Sequence, residues 1–172
     1  MNECHVVTGP AGAGKSFHAR ELAARLGACL IDSDVATERL VRAGLSLAGH
    51  DPDDRDSLAY KTAYRDAVYE AMFDLAVVNL PLVPVVLAGP FTREVGEEDW
   101  PDRLEQRLGV RPVLHFVWCP PELRRERIVS RGEDRDLPKL RDWQSYAASC
   151  REERPVWDHV FVSTGDQRKS SP

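Results

Sequence analysis

The sequence has no apolar run near the ~20 residues needed to cross a bilayer, and no signal-peptide pattern at its start. Both absences lead us to expect a cytoplasmic protein with no membrane partner. Its cysteines, Cys4, Cys29, Cys119 and Cys150, stand far apart, with no C-x-x-C pair and no histidines at metal-ligand spacing. That argues against a disulfide framework or a zinc site and for free thiols in a reducing compartment. No segment repeats and none is of low complexity. The net charge of −5 lacks the basic excess of a general nucleic-acid binder.

What is present is unevenly distributed. Residues 1–102 carry 9 Lys/Arg against 17 Asp/Glu, whereas residues 103–154 carry 12 against 9. An anionic first part thus feeds an arginine-rich segment, which points to one local anion-binding surface. The length of 172 residues suits a single domain, expected over 1–166, with a frayed tail at 167–172.

Short apolar runs alternate with helical patterns. Strands are expected at 4–8, 28–32, 83–89, 112–119 and 158–164, and helices at 17–27, 35–44, 57–79, 97–109, 121–132 and 137–153. In the long 57–79 segment, Tyr64, Val68, Ala71, Leu75 and Val78 form the expected apolar stripe. Continuous apolar strands separated by helices predict an α/β fold with a parallel sheet buried on both faces.

After the first strand comes "GPAGAGKS", the spacing G-x-x-x-x-G-K-S with Gly9, Gly14, Lys15 and Ser16 in its defining places. A strand before and a helix after give this pattern its mechanism. Glycines let successive backbone N–H groups point into one concavity, and the helix N-terminus adds positive potential. Residues Gly9, Pro10, Ala11, Gly12, Ala13, Gly14, Lys15, Ser16 and Phe17 are therefore the expected nucleotide cradle. Lys15 would reach the terminal phosphates and Ser16 would ligate Mg²⁺.

The second strand ends "LIDSD", so Asp32 and Asp34 can both face the same mouth. One carboxylate would serve the metal (Asp32, with Ser16) and the other would accept a proton from an attacking hydroxyl (Asp34). The alternative for Asp34 is a plain helix cap. Strand three ends "VVLAGPFTRE", without an acidic residue, and no N-K-x-D guanine signature occurs. Both absences disfavour motor ATPases and GTPase switches and favour a small kinase. In "RERIVSRGEDRDLPKL", Arg131, Arg135 and Lys139 fall at four-residue steps and could close over a migrating phosphoryl group, the alternative being a solvated charged helix. Arg39, Arg65 and Arg93 are candidate acceptor contacts, with Phe91 and Tyr64 as an aromatic wall. The cluster Asp51, Asp53, Asp54, Asp56 would favour a neutral or cationic alcohol if it lined the mouth, or would be a solvated loop with Asp56 capping the long helix. The loop 163–167 is the expected base contact.

These marks, "GPAGAGKS", "DSD" and "RGEDRD", resemble the P-loop small-molecule kinases, the group of shikimate, gluconate, nucleoside-monophosphate and chloramphenicol kinases, related to polynucleotide kinases and zeta-type toxins. The resemblance implies a P-loop NTPase fold with strand order 2-3-1-4-5 and an arginine-rich lid. It also implies ATP with Mg²⁺, Asp34 at the acceptor hydroxyl and Asp32 near magnesium. The chain departs from shikimate kinases after strand three, where "AGPFTRE" replaces a glycine-rich loop. A small hydroxylated metabolite or antibiotic-like acceptor is favoured. A nucleic-acid or nucleoside 5′-hydroxyl, or a purely regulatory ATP site, is the alternative.

Overall fold

A computed structural model describes residues 2–55, 57–150 and 153–165. Asp56 as a helix cap, the tail 167–172 and the far end of the 163–167 loop lie outside the described residues. In chain order the elements are β1 (Cys4–Thr8), α1 (Lys15–Leu26), β2 (Cys29–Asp32), α2 (Ser33–Leu47), α3 (Leu58–Ala63) and α4 (Arg65–Asn79). There follow β3 (Val85–Ala88), α5 (Trp100–Leu108), β4 (Val113–Trp118), α6 (Pro121–Arg131), α7 (Leu137–Arg141), α8 (Trp143–Ser149) and β5 (Val160–Ser163). Short 3-10 turns at Glu94–Gly96 and Asp134–Asp136 precede α5 and α7. The five strands form one all-parallel sheet in the order β2-β3-β1-β4-β5, as the resemblance implies.

Strand alternation sorts the core into two layers. Cys4, Val6, Val85, Leu87, Leu114 and Phe116 pack with α2, α4 and α5 on one face. Val7, Val86, Ala88 and Val117 meet Ala19, Leu22 and Ala23 of α1 on the other. The α1 face also buries His5 and His115, on neighbouring strands. His115 Nε2 lies 3.0 Å from His5 Nδ1, and His115 Nδ1 lies 3.2 Å from His18 Nε2 on α1. Glu3 ends the chain of contacts, 3.3 Å from His5 Nε2. With neutral rings this row has one consistent direction: His18 donates to His115, His115 to His5, and His5 to the Glu3 carboxylate. Burial, with His18, His5 and Arg25 adding charge repulsion, pushes the His115 pKa down to about 4, and the His18 pKa is lowered as well, again chiefly by burial.

Two expected helices are broken. The 57–79 segment is interrupted at Tyr64 (φ −116°, ψ −32°), and Ser57 caps α3 by accepting from Tyr60 N–H. The new helix sets its own phase. Val68, Met72 and Ala76, flanked by Tyr69 and Phe73, face the core, while Leu75 and Val78 of the expected stripe are exposed. The segment is apolar on several sides, so composition did not fix which stripe turns inward. The 137–153 segment likewise divides at Asp142, whose side chain caps α8 by accepting from Ser145 N–H. Among the described residues no helix is long and apolar enough to cross a membrane, and the four cysteines are free thiols.

Candidate active site

The carboxyl ends of the parallel strands open into a cavity of ≈ 830 Å³. Ten lysines and arginines but only four carboxylates line it, so a chain of net charge −5 builds a cationic cavity. Its floor is the loop between β1 and α1. Backbone crowding explains two of the glycines. A Cβ at Gly9 (φ +145°) would lie 2.1 Å from the Val117 carbonyl oxygen, and one at Gly12 (φ +77°) 2.7 Å from that of Arg124. All the expected cradle residues line the cavity except Ala13, which is fully buried beneath it. Lys15 Nζ donates to the Pro10 carbonyl at 2.9 Å. Burial pushes the Lys15 pKa down to about 8 despite the neighbouring Asp34 charge.

Asp32 closes the far side of the loop. One of its oxygens accepts from Ser16 Oγ at 2.7 Å, and the other accepts from Asp34 N–H at 3.0 Å, which caps α2. The capping role considered for Asp34 therefore belongs to Asp32. Asp34 is left half-exposed at the cavity edge in the first turn of α2. A hydroxyl and a carboxylate in contact are hard oxygen donors of the kind that suits Mg²⁺, which takes few protein ligands and completes its shell with water and phosphate. The Ser16–Asp32 pair fits such an ion.

Opposite stand the expected lid cations, each already engaged. Arg135 donates to Asp34 at 2.9 Å and lies 3.5 Å from Glu38. Burial works against the Arg135 charge, but Asp34, Glu133 and Glu38 outweigh it and hold its pKa above the usual arginine range. Arg131 contacts Asp136 at 2.6 Å and Lys139 contacts it at 3.0 Å, around a carboxylate with 0% exposure.

The acceptor side differs from expectation in four respects. Arg39 is exposed and does not line the cavity. Asp34, Thr37, Glu38 and Val41 make the cavity face of α2, and Arg39 lies about 140° around the helix from Asp34. Arg65 and Arg93 do line it, sharing the buried Glu94 at 2.6 and 3.1 Å. Phe91 is fully buried at φ 41°, packed against Tyr69, Phe73 and Trp100. Tyr64 packs on Gly44. The aromatic wall is instead Tyr60 and Tyr69. Asp51 and Asp54 are spent on turn hydrogen bonds and Asp53 pairs with Arg42, so none of them lines the main cavity.

Arg55, Glu38 and Arg127 also line the cavity and were not singled out from sequence. Arg55 donates to Glu38 at 2.7 Å and lies over the Tyr60 ring. A lone arginine inside "DPDDRD" was the available signal. Arg127 fell within the arginine-rich helix, and its place one four-residue step before Arg131 was the available signal.

Residues 5–153 match the family described as AAA domain. No curated protein matches the sequence. A solved structure from Chloroflexus aurantiacus J-10-fl superimposes with a TM-score of 0.69 at 16% identity, over 99% of this chain and 92% of that one. A gluconokinase from Sinorhizobium meliloti 1021 gives 0.57 at 17% identity, over 99% and 84%. A shikimate kinase from Acinetobacter baumannii, in complex with shikimate, gives 0.55 at 18%, over 96% and 85%. With its Walker-type loop, its sheet order and these neighbours, the chain belongs to the AAA domain family and has the fold of the P-loop small-molecule kinases.

Proposed function

We propose that the protein is an ATP-dependent phosphotransferase that moves the γ-phosphate to a hydroxyl of a small metabolite or antibiotic-like molecule. The observation that carries this reading is the division of labour at the end of β2. Asp32 is committed to Ser16 and the α2 cap, whereas Asp34 is half-exposed at the cavity edge within reach of Arg135. A site that only sensed nucleotide would have no use for the second carboxylate.

Ser16 and Asp32 would hold Mg²⁺, which when bound neutralises phosphate charge. Lys15, released from the Pro10 carbonyl, grips the terminal phosphates. Asp34 accepts the proton of the attacking hydroxyl once Arg135 turns from it to the migrating phosphoryl group. With the aspartate loop turned away, the acceptor wall is Arg55, Tyr60, Lys61, Arg65 and Arg93. That lining suits a neutral or anionic hydroxyl compound better than a cationic amino-alcohol. A domain of 1–166 and a cytoplasmic setting belong to the same proposal.

The test is incubation with Mg-ATP and a pooled panel of nucleosides, sugars, sugar acids, hydroxylated antibiotics and 5′-hydroxyl oligonucleotides, followed by mass spectrometry. A small product heavier by one phosphate, absent with Asp34→Asn, is expected. A labelled oligonucleotide, or tight ATP binding with no product from any compound, would overturn the assignment.

A further inference from the structure

Arg127 sits on α6, one four-residue step before the lid cation Arg131, but its guanidinium is turned toward the nucleotide loop. Nη1 donates to Thr164 Oγ1 at 2.8 Å and lies 3.2 and 3.4 Å from the carbonyl oxygens of Ala13 and Gly12. Nη2 donates to the Thr164 carbonyl at 2.8 Å. The Thr164 hydroxyl accepts from Arg127 and so spends its one proton on the Ala13 carbonyl, at 2.6 Å. Thr164 is itself fixed. It is 5% exposed, and its N–H donates to the Trp118 carbonyl at 3.0 Å, extending the β4–β5 pairing one residue past the strand.

We propose that Arg127 and Thr164 are positioning residues for the nucleotide loop, locking the Ala13–Gly14 peptide so that the Gly14 N–H faces the phosphates. The reason is peptide planarity. In a trans peptide the C=O and the following N–H point in opposite directions, and no described peptide is cis. Two donors hold the Ala13 carbonyl toward α6 and β5, so the Gly14 N–H is held the other way. Gly14 is the N-cap of α1, where backbone N–H groups have no helical partner and serve anions. Its φ of 99° is one that glycine adopts as readily as a negative φ, so the residue itself does not fix the peptide's orientation. The clamp also joins the loop to α6, the helix that leads into the lid, so lid and loop share one anchor. Neither residue is asked to touch the substrate.

The proposal rests on the reading of the loop as a polyphosphate site, and the test separates the two. Calorimetry would measure binding of Mg-ADP and of magnesium tripolyphosphate, which has no base, to wild type, Arg127→Met, Thr164→Val and Thr164→Ser. Tenfold or greater weakening for both ligands in Arg127→Met and Thr164→Val, with Thr164→Ser within twofold of wild type, is expected. Unchanged tripolyphosphate binding in Thr164→Val and Arg127→Met would overturn the clamp, and so would weakening confined to ADP, which would make Arg127 a contact to the base. If Arg127→Met fails to fold, the Val/Ser pair at Thr164 decides, because the two differ at the hydroxyl the clamp needs. A wild-type protein that binds neither ligand would remove the polyphosphate site itself, and with it the clamp.

Discussion

Acid should loosen this protein through the histidine row beneath α1. His115 is 5% exposed, and its pKa is pushed down to about 4 from an ordinary 6.5. Between those values the unfolded chain binds a proton that the folded chain refuses. Stability therefore rises with pH across the window and is lost as pH falls through it. For His115 alone, acidification from pH 7 to pH 5 costs about 2 kcal/mol, from ~1.36 kcal/mol per pKa unit and the fraction of the window crossed. His18, also lowered, adds in the same direction. Urea unfolding of wild type and His115→Gln at pH 7, 6 and 5 isolates the effect, because carboxylate titrations are common to both. Wild type should lose about 2 kcal/mol more than the variant over this range. Parallel losses in the two proteins would refute the assignment of the window to this histidine.

Other expectations concern the site. Lys15→Ala should abolish turnover, and ATP affinity of the wild type should weaken above pH 8, approaching tenfold per unit, as the lysine loses its proton from a pKa of about 8; calorimetry between pH 7 and 9.5 checks this. Asp34→Asn should lower kcat at least a hundredfold, the ordinary scale of general-base catalysis, with ATP affinity changed far less. Arg135→Ala should slow transfer while leaving the melting temperature near wild type. Arg131→Ala should instead cost about 1–2 kcal/mol in urea unfolding, because the fully buried Asp136 is left with Lys139 alone.

The different expectations for Arg131 and Arg135 mark where sequence ceased to be informative. Their four-residue spacing was visible, but not that one of them neutralises a buried aspartate and the other meets Asp34 across 101 residues of chain. The nucleotide loop was legible because its chemistry is written in the backbone, and glycine spacing is a backbone signal. The central strands β1, β3 and β4 were legible because burial on both faces leaves continuous apolar runs. Arg39 and Phe91 were misjudged because each depends on phase. A residue on a helix faces the cavity or the solvent according to a rotation that the wide apolar distribution of α2 and α4 does not set. The left-handed turn that buries Phe91, with its N–H donated to the Tyr69 hydroxyl at 3.1 Å, has no glycine to announce it.

The carboxylate partners of the lid bear on the rhythm of turnover. Arg135 rests in ion pairs with Asp34 and Glu38, so in the proposed reaction an arriving nucleotide would trade partners with it and gain only the difference between the new pairs and the old. In the proposed reaction that difference shrinks once the γ-phosphate has left. Asp34 would then take its cation back and help the lid reopen. An enzyme built this way gives up some hold on its substrate and in return lets its product go quickly.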